Sequence, residues 1–174
     1  MADMKFKFTI QPYQTEAVES VVGVFAGQPF NDRFTYRRDV EIKRDVTNWM
    51  IPEEELYMGF ANARVQLDSG QLLNNIRRIQ TRNNIKLSET VTTGGLGTCS
   101  LDVEMETGTG KTYVYIKTMF ELNKQYGWSK FIVVVPSVAI REGVRKSFET
   151  MQDHFMEYYG KGVQRASGTE PWNQ

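Results

Sequence analysis

The chain has a single cysteine, Cys99, in 174 residues. An internal disulfide is therefore excluded, and a reducing compartment is expected. Net charge is absent as well: Lys and Arg total 21, and so do Asp and Glu. Nothing in the overall balance draws the chain to nucleic acid, so any basic surface must be local. No stretch approaches the roughly 20 apolar residues that span a bilayer. Met1–Ile10 alternates charged and apolar residues, unlike the apolar core of a secretory signal. The expectation is a cytoplasmic chain with no membrane contact. Histidine is almost missing too. His154 stands alone, without Cys or His at metal-ligand spacing, and reads as a helix surface residue. What remains is ordinary for a globular protein: 40% hydrophobic and 24% charged residues, long enough for one sizeable core.

Three regions are visible. The first, residues 1–30, opens with the period-two alternation Lys5 to Ile10, which predicts an extended entry. Pro12 suits a helix start, because its missing N–H costs nothing there. Ala17, Val18, Val21, Val22 and Phe25 recur at helical spacing, and Gly27 and Pro29 stop the helix. The second region, residues 31–97, is a partly helical, partly irregular insert. Pro52 and the acidic turn Glu53-Glu54-Glu55 suit a helix N-terminus. Beyond them Arg64, Arg77, Arg78, Arg82 and Lys86 face only Asp68, while Leu72, Leu73, Ile76 and Ile79 form an apolar helical face. This segment is either a solvated basic helix lying on the core or a surface that contacts nucleic-acid phosphates.

The third region, residues 98–174, carries the chemistry. Leu101 to Met105 alternates like a strand, and Tyr113 to Tyr126 reads as a helix stopped by Gly127. Phe131-Ile132-Val133-Val134-Val135 is a continuous apolar run, as expected of a strand buried on both faces. A helix capped by Ser137 follows. The order strand, glycine turn, helix, strand predicts an α/β fold built on a parallel sheet.

Between the first strand and the first of these helices lies Glu106-Thr107-Gly108-Thr109-Gly110-Lys111-Thr112. Triphosphate binding needs many donors aimed at one small anion cluster. Gly108 and Gly110 allow a tight turn and close backbone approach. The backbone N–H groups of Thr107 to Thr112, together with the helix N-terminus, would form an anion nest. Lys111 would meet the β- and γ-phosphates, and the Thr112 hydroxyl would coordinate Mg²⁺. Where the strict pattern opens with Gly, this chain has Met105. The strand-to-helix context argues against a chance Gly-Lys-Thr in a surface turn.

Met105 to Thr112 resembles motif I of superfamily-two helicases and translocases. Gln11-Pro12-Tyr13-Gln14 resembles that superfamily's adenine-reading element, and the resemblance gives Gln14 the role of reading the adenine edge. Val133 to Val144 occupies the place of motif Ia, which in that superfamily contacts the nucleic-acid backbone, and the resemblance implies such contacts from Ser137 and Arg141. The wording of these segments is most similar to the restriction (Res) subunit of type III restriction–modification systems. That likeness implies a partial RecA-like parallel sheet with flanking helices, ATP and Mg²⁺ as cofactors, and DNA and a DNA methyltransferase (Mod) subunit as partners. It also implies a parent enzyme that is an ATP-dependent DNA translocase and endonuclease.

Hydrolysis in that superfamily needs a second carboxylate motif, usually Asp-Glu, to hold Mg²⁺ and to position water. No Asp-Glu dipeptide occurs in this sequence, and no Pro is followed by Asp, as a nuclease signature would require. The expectation is the truncated front of a motor lobe, nucleotide-binding but inactive by itself, with an unpaired sheet edge. Competing readings are a nucleotide-binding remnant, a small P-loop kinase, and a DNA-binding module built on Arg64 to Lys86. The roughly 100 residues ahead of the phosphate loop argue against a kinase, which usually begins with the strand leading into that loop.

Overall fold

A computed structural model describes residues 8–31, 62–94 and 97–162. The acidic turn after Pro52 and the first residues of the extended entry fall outside these. The described residues hold four helices: α1 (Pro12–Gly23), α2 (Ser69–Arg82), α3 (Lys111–Tyr126) and α4 (Val138–Tyr159). The chain divides into two compact units, Pro12–Val133 and Met1–Gln11 with Val134–Gln174.

In the larger unit, α1 starts at Pro12, where the proline ring presets the helical φ. It turns Val18 and Val22 inward, 1% and 3% exposed, against Val114, Leu122, Tyr126 and Trp128 of the α3 region. Carbonyls at its end and in the turn after it accept from side chains of other elements. The Tyr126 hydroxyl donates to Val22 O at 3.0 Å, and the Asn75 amide donates to Val24 O and Ala26 O at 3.0 and 2.9 Å. Helix α2 begins with a capping box. The Asp68 carboxylate accepts from Gln71 N at 2.8 Å, and the Gln71 carboxamide accepts from Asp68 N at 3.0 Å. Leu72, fully buried, packs with Val24 and Leu67, and Ile76 and Ile79 extend the cluster. Helix α3 ends at Gly127, whose φ of 80° admits a left-handed stop and whose N–H donates to Asn123 O.

Side-chain amides take over work that backbone ladders usually do. Gln28, buried, donates to Arg64 O at 3.2 Å and accepts from Gln66 N at 2.8 Å. Asn62 accepts from Ser129 N and Lys130 N, both at 2.9 Å, and donates to Lys130 O. Trp128 Nε1 donates to Ala63 O at 3.0 Å. Residues 62–67 are thereby tied to the core without forming a strand.

The expected parallel sheet is not present: the described residues contain no strand. The two segments expected to be strands, 101–105 and 131–135, have no ladder partner there. An apolar run becomes a strand only when neighbours take up its N–H and C=O groups, and a buried one also needs both faces covered. Leu101 and Met105 find partial cover against the two apolar clusters. Ile132 and Val134 instead stand 91% and 88% exposed. The hydrophobic pattern is strand-like, but the architecture among the described residues is helical.

In the smaller unit, the Ser137 hydroxyl accepts from Ile140 N at 3.3 Å and caps α4. Met151 and Phe155 are its buried residues. His154 lies among aromatic rings, 5.2 Å from Phe8, 5.2 Å from Phe155 and 6.3 Å from Tyr158 by ring centroid.

Candidate functional site

The loop 106–110 is shaped by its two glycines and closed by its own polar groups. Gly108 and Gly110 adopt φ of 84° and 87°, values that a side chain strains. Thr109 turns back on the loop, with its N–H and its hydroxyl both directed at Glu106 O, the hydroxyl at 2.7 Å. Gly110 is the N-cap of α3, and no side chain caps that end of the helix. The Lys111 ammonium folds back onto the Met105 carbonyl. Thr107, Gly108 and Lys111 are exposed, whereas Thr109, Gly110 and Thr112 are half-buried.

Gln14 meets this loop from α1. Its Nε2 donates to Thr109 O at 2.9 Å, and the hydroxyl of Tyr13 adds a second donor to the same carbonyl at 3.3 Å. A Cβ on Gly110 would fall 2.6 Å from Gln14 Nε2. The residue singled out as an adenine reader thus packs on the loop backbone. Residues far apart in sequence, Gln14 and Thr107 to Thr112, come together in one place.

Two side chains here escaped the sequence reading. Tyr13 is 47% exposed and reaches the loop through its hydroxyl. Tyr115 sits one turn into α3, and its hydroxyl is buried without a hydrogen-bond partner. Burial pushes the Tyr115 phenol up, and the neighbouring Thr112 side chain opposes the rise without completing a hydrogen bond. The available signal was the spacing, since positions three apart on a helix are neighbours. Cys99 is half-buried, and desolvation raises its thiol above 9.0, which disfavours the reactive thiolate.

The loop fits a polyphosphate with a divalent cation. A Cβ at Gly108 would meet nothing within 4 Å, so the outer wall of the loop is open. The helix N-terminus behind it lacks a side-chain cap and carries no acidic residue in its first turn that would repel an anion. Thr112, half-buried in the first turn of the helix, supplies a hydroxyl oxygen, the hard donor type that Mg²⁺ prefers. Among the described residues no group of three or more His, Cys, Asp or Glu could hold a metal by itself.

The remaining positions are placed as follows. The Ser137 hydroxyl is engaged in capping α4. Arg141 is exposed and lies 3.6 Å from Glu142, which also pairs with Arg145 at 3.0 Å. In the basic segment, Arg77 donates to Ser88 O and Glu89 O, Arg78 to Asn75, and Arg82 to Ser20. Those guanidinium groups hold α2 and the loop after it. No described helix is long and apolar enough to cross a membrane.

The glycine loop thus runs into a helix end that no side chain caps and is followed at once by Lys111 and Thr112. The sequence around it is that of a known class: the chain belongs to the family described as the res subunit of type III restriction enzymes, which it matches over residues 7–169. It is 41% identical over 101 residues to the Res subunit of the type III restriction-modification enzyme EcoP15I of Escherichia coli, a match covering 57% of this chain and 10% of that protein. The EcoPI Res subunit of Escherichia phage P1 is 36% identical over 104 residues, covering 59% and 10%. The StyLTI Res subunit of Salmonella typhimurium is 50% identical over 62 residues, covering 34% and 6%. The chain thus spans no more than a tenth of the length of these relatives. Membership fits a helicase-like ATPase portion of such a subunit.

Proposed function

We propose that this chain is the ATP-binding part of a DNA-dependent ATPase and translocase of a type III restriction endonuclease. One observation carries the reading. The Gly108–Gly110 loop ends on the N-terminus of α3 and presents Lys111 and Thr112 there, with Gln14 packed on it from α1. In this reading the loop N–H groups and the helix end hold the phosphates. Lys111 exchanges the Met105 carbonyl for β- and γ-phosphate oxygens, and Thr112 holds Mg²⁺. Bound Mg²⁺ would neutralise charge on the phosphates.

Gln14 supplies base selectivity. A carboxamide has two N–H donors and an acceptor oxygen, and Thr109 takes one donor. Because the sequence holds no Asp-Glu pair, the reading assigns nucleotide binding rather than turnover to these residues. DNA and a DNA methyltransferase (Mod) subunit are the partners of the assembly in which the chain works, and the cytoplasm is its place. Ser137 and Arg141 are its DNA-backbone candidates, Arg141 through an exposed guanidinium and Ser137 through the start of α4.

Calorimetric titration of the purified chain with ATP and Mg²⁺ tests the reading. Saturable binding at one site is expected, and the absence of binding overturns it.

A further inference from the structure

Among the described side chains, the Tyr115 hydroxyl is a buried polar atom with no hydrogen-bond partner. Taking a hydroxyl out of water without a partner is unfavourable, so such a group calls for a reason. Its position offers one. Side chains on a helix lean toward the N-terminus, so the Tyr115 ring lies back over the turn that holds Thr112. The two side chains interact, but their hydroxyls do not complete a hydrogen bond.

The chemistry of Thr112 supplies what is missing. A threonine hydroxyl that gives a lone pair to a cation must turn its own proton away from that cation. The proton then needs an acceptor. A phenol oxygen can accept as well as donate, and a bond formed out of water is stronger than an exposed one.

We propose that Tyr115 is a positioning residue for the divalent cation: its buried hydroxyl accepts the Thr112 O–H and so aims Thr112 Oγ1 at Mg²⁺. This rests on the reading of Thr112 as a Mg²⁺ ligand. In the ligand-free chain the pair is poised but not closed, which accounts for the partnerless hydroxyl. Binding of the metal closes it.

The test is a titration of the 174-residue chain with a fluorescent ATP analogue, across a Mg²⁺ series and in EDTA. The wild type, Tyr115→Phe, Thr112→Val and the double variant are compared. Tyr115→Phe should raise the Mg²⁺ concentration for half-maximal strengthening about three- to tenfold, the worth of one such hydrogen bond. Its affinity in EDTA should be unchanged. Its melting temperature without ligand should not fall, since a partnerless buried hydroxyl has been removed. Thr112→Val should lose the Mg²⁺ effect, and adding Tyr115→Phe should change nothing more. An unaltered Mg²⁺ midpoint in Tyr115→Phe overturns the proposal, as does an equal loss of affinity in EDTA and in Mg²⁺, the mark of a purely structural role. Failure of the wild type to bind the analogue at all is the separate outcome that removes the ATP reading and this proposal with it.

Discussion

Gln14 and Gly110 fit together only because Gly110 has no side chain. The Gln14 amide nitrogen donates to Thr109 O at 2.9 Å and lies 2.6 Å from where a Cβ on Gly110 would stand. The turn conformation of the loop, with φ of 87° at Gly110, and the packing of α1 are therefore a single constraint.

Gly110→Ala carries two penalties, a strained left-handed backbone and a collision with a buried amide. The variant should lose about 1–3 kcal/mol of stability from the backbone alone, and the collision adds to this. Combining it with Gln14→Ala should recover the collision part and leave the strain. Thermal or urea unfolding of the four proteins in this cycle reads both. Full additivity of the two changes would show that Gln14 and Gly110 do not touch.

Gln14→Ala alone should reduce the preference for ATP over GTP, because the carboxamide is the proposed base reader. Competition of the two nucleotides against a fluorescent ATP analogue measures this. Equal discrimination before and after would leave Gln14 as a brace for the loop and nothing more.

Tyr126 joins α3 to the end of α1 through its bond to Val22 O. Tyr126→Phe should cost about 1 kcal/mol at neutral pH, the net worth of a buried hydrogen bond. Burial also pushes the Tyr126 phenol above 10.0, so the folded state favours its neutral form. The associated stability is complete below the ordinary tyrosine value and is lost as pH rises through the higher folded one. Urea midpoints of wild type and variant should differ at neutral pH and converge in strongly alkaline buffer. A constant difference across that range would contradict the account.

The helix ends were legible because their signals are local. Pro12, Gly127 and Ser137 mark boundaries by backbone preference or capping, and the structure places α1, α3 and α4 there. The sheet was misread because a strand is a relation between segments. Phe131 to Val135 has the composition of a buried strand, yet no described neighbour pairs with it. The amide ties of Gln28, Asn62 and Asn75 were invisible for a similar reason, since no periodicity announces a side chain that satisfies a distant backbone. Within the candidate site, spacing singled out the loop residues and resemblance singled out Gln14, and the structure brings Gln14 against the loop. Tyr13 and Tyr115 were not singled out, because an aromatic at helical spacing looks like core until its hydroxyl is placed.

The central claim is that Lys111 and its loop hold the phosphates of ATP. The most direct measurement is an ATP titration of Lys111→Ala beside the wild type, with circular dichroism to verify equal folding. The account predicts saturable binding by the wild type and none by the variant. Unchanged affinity in a folded Lys111→Ala protein would contradict it.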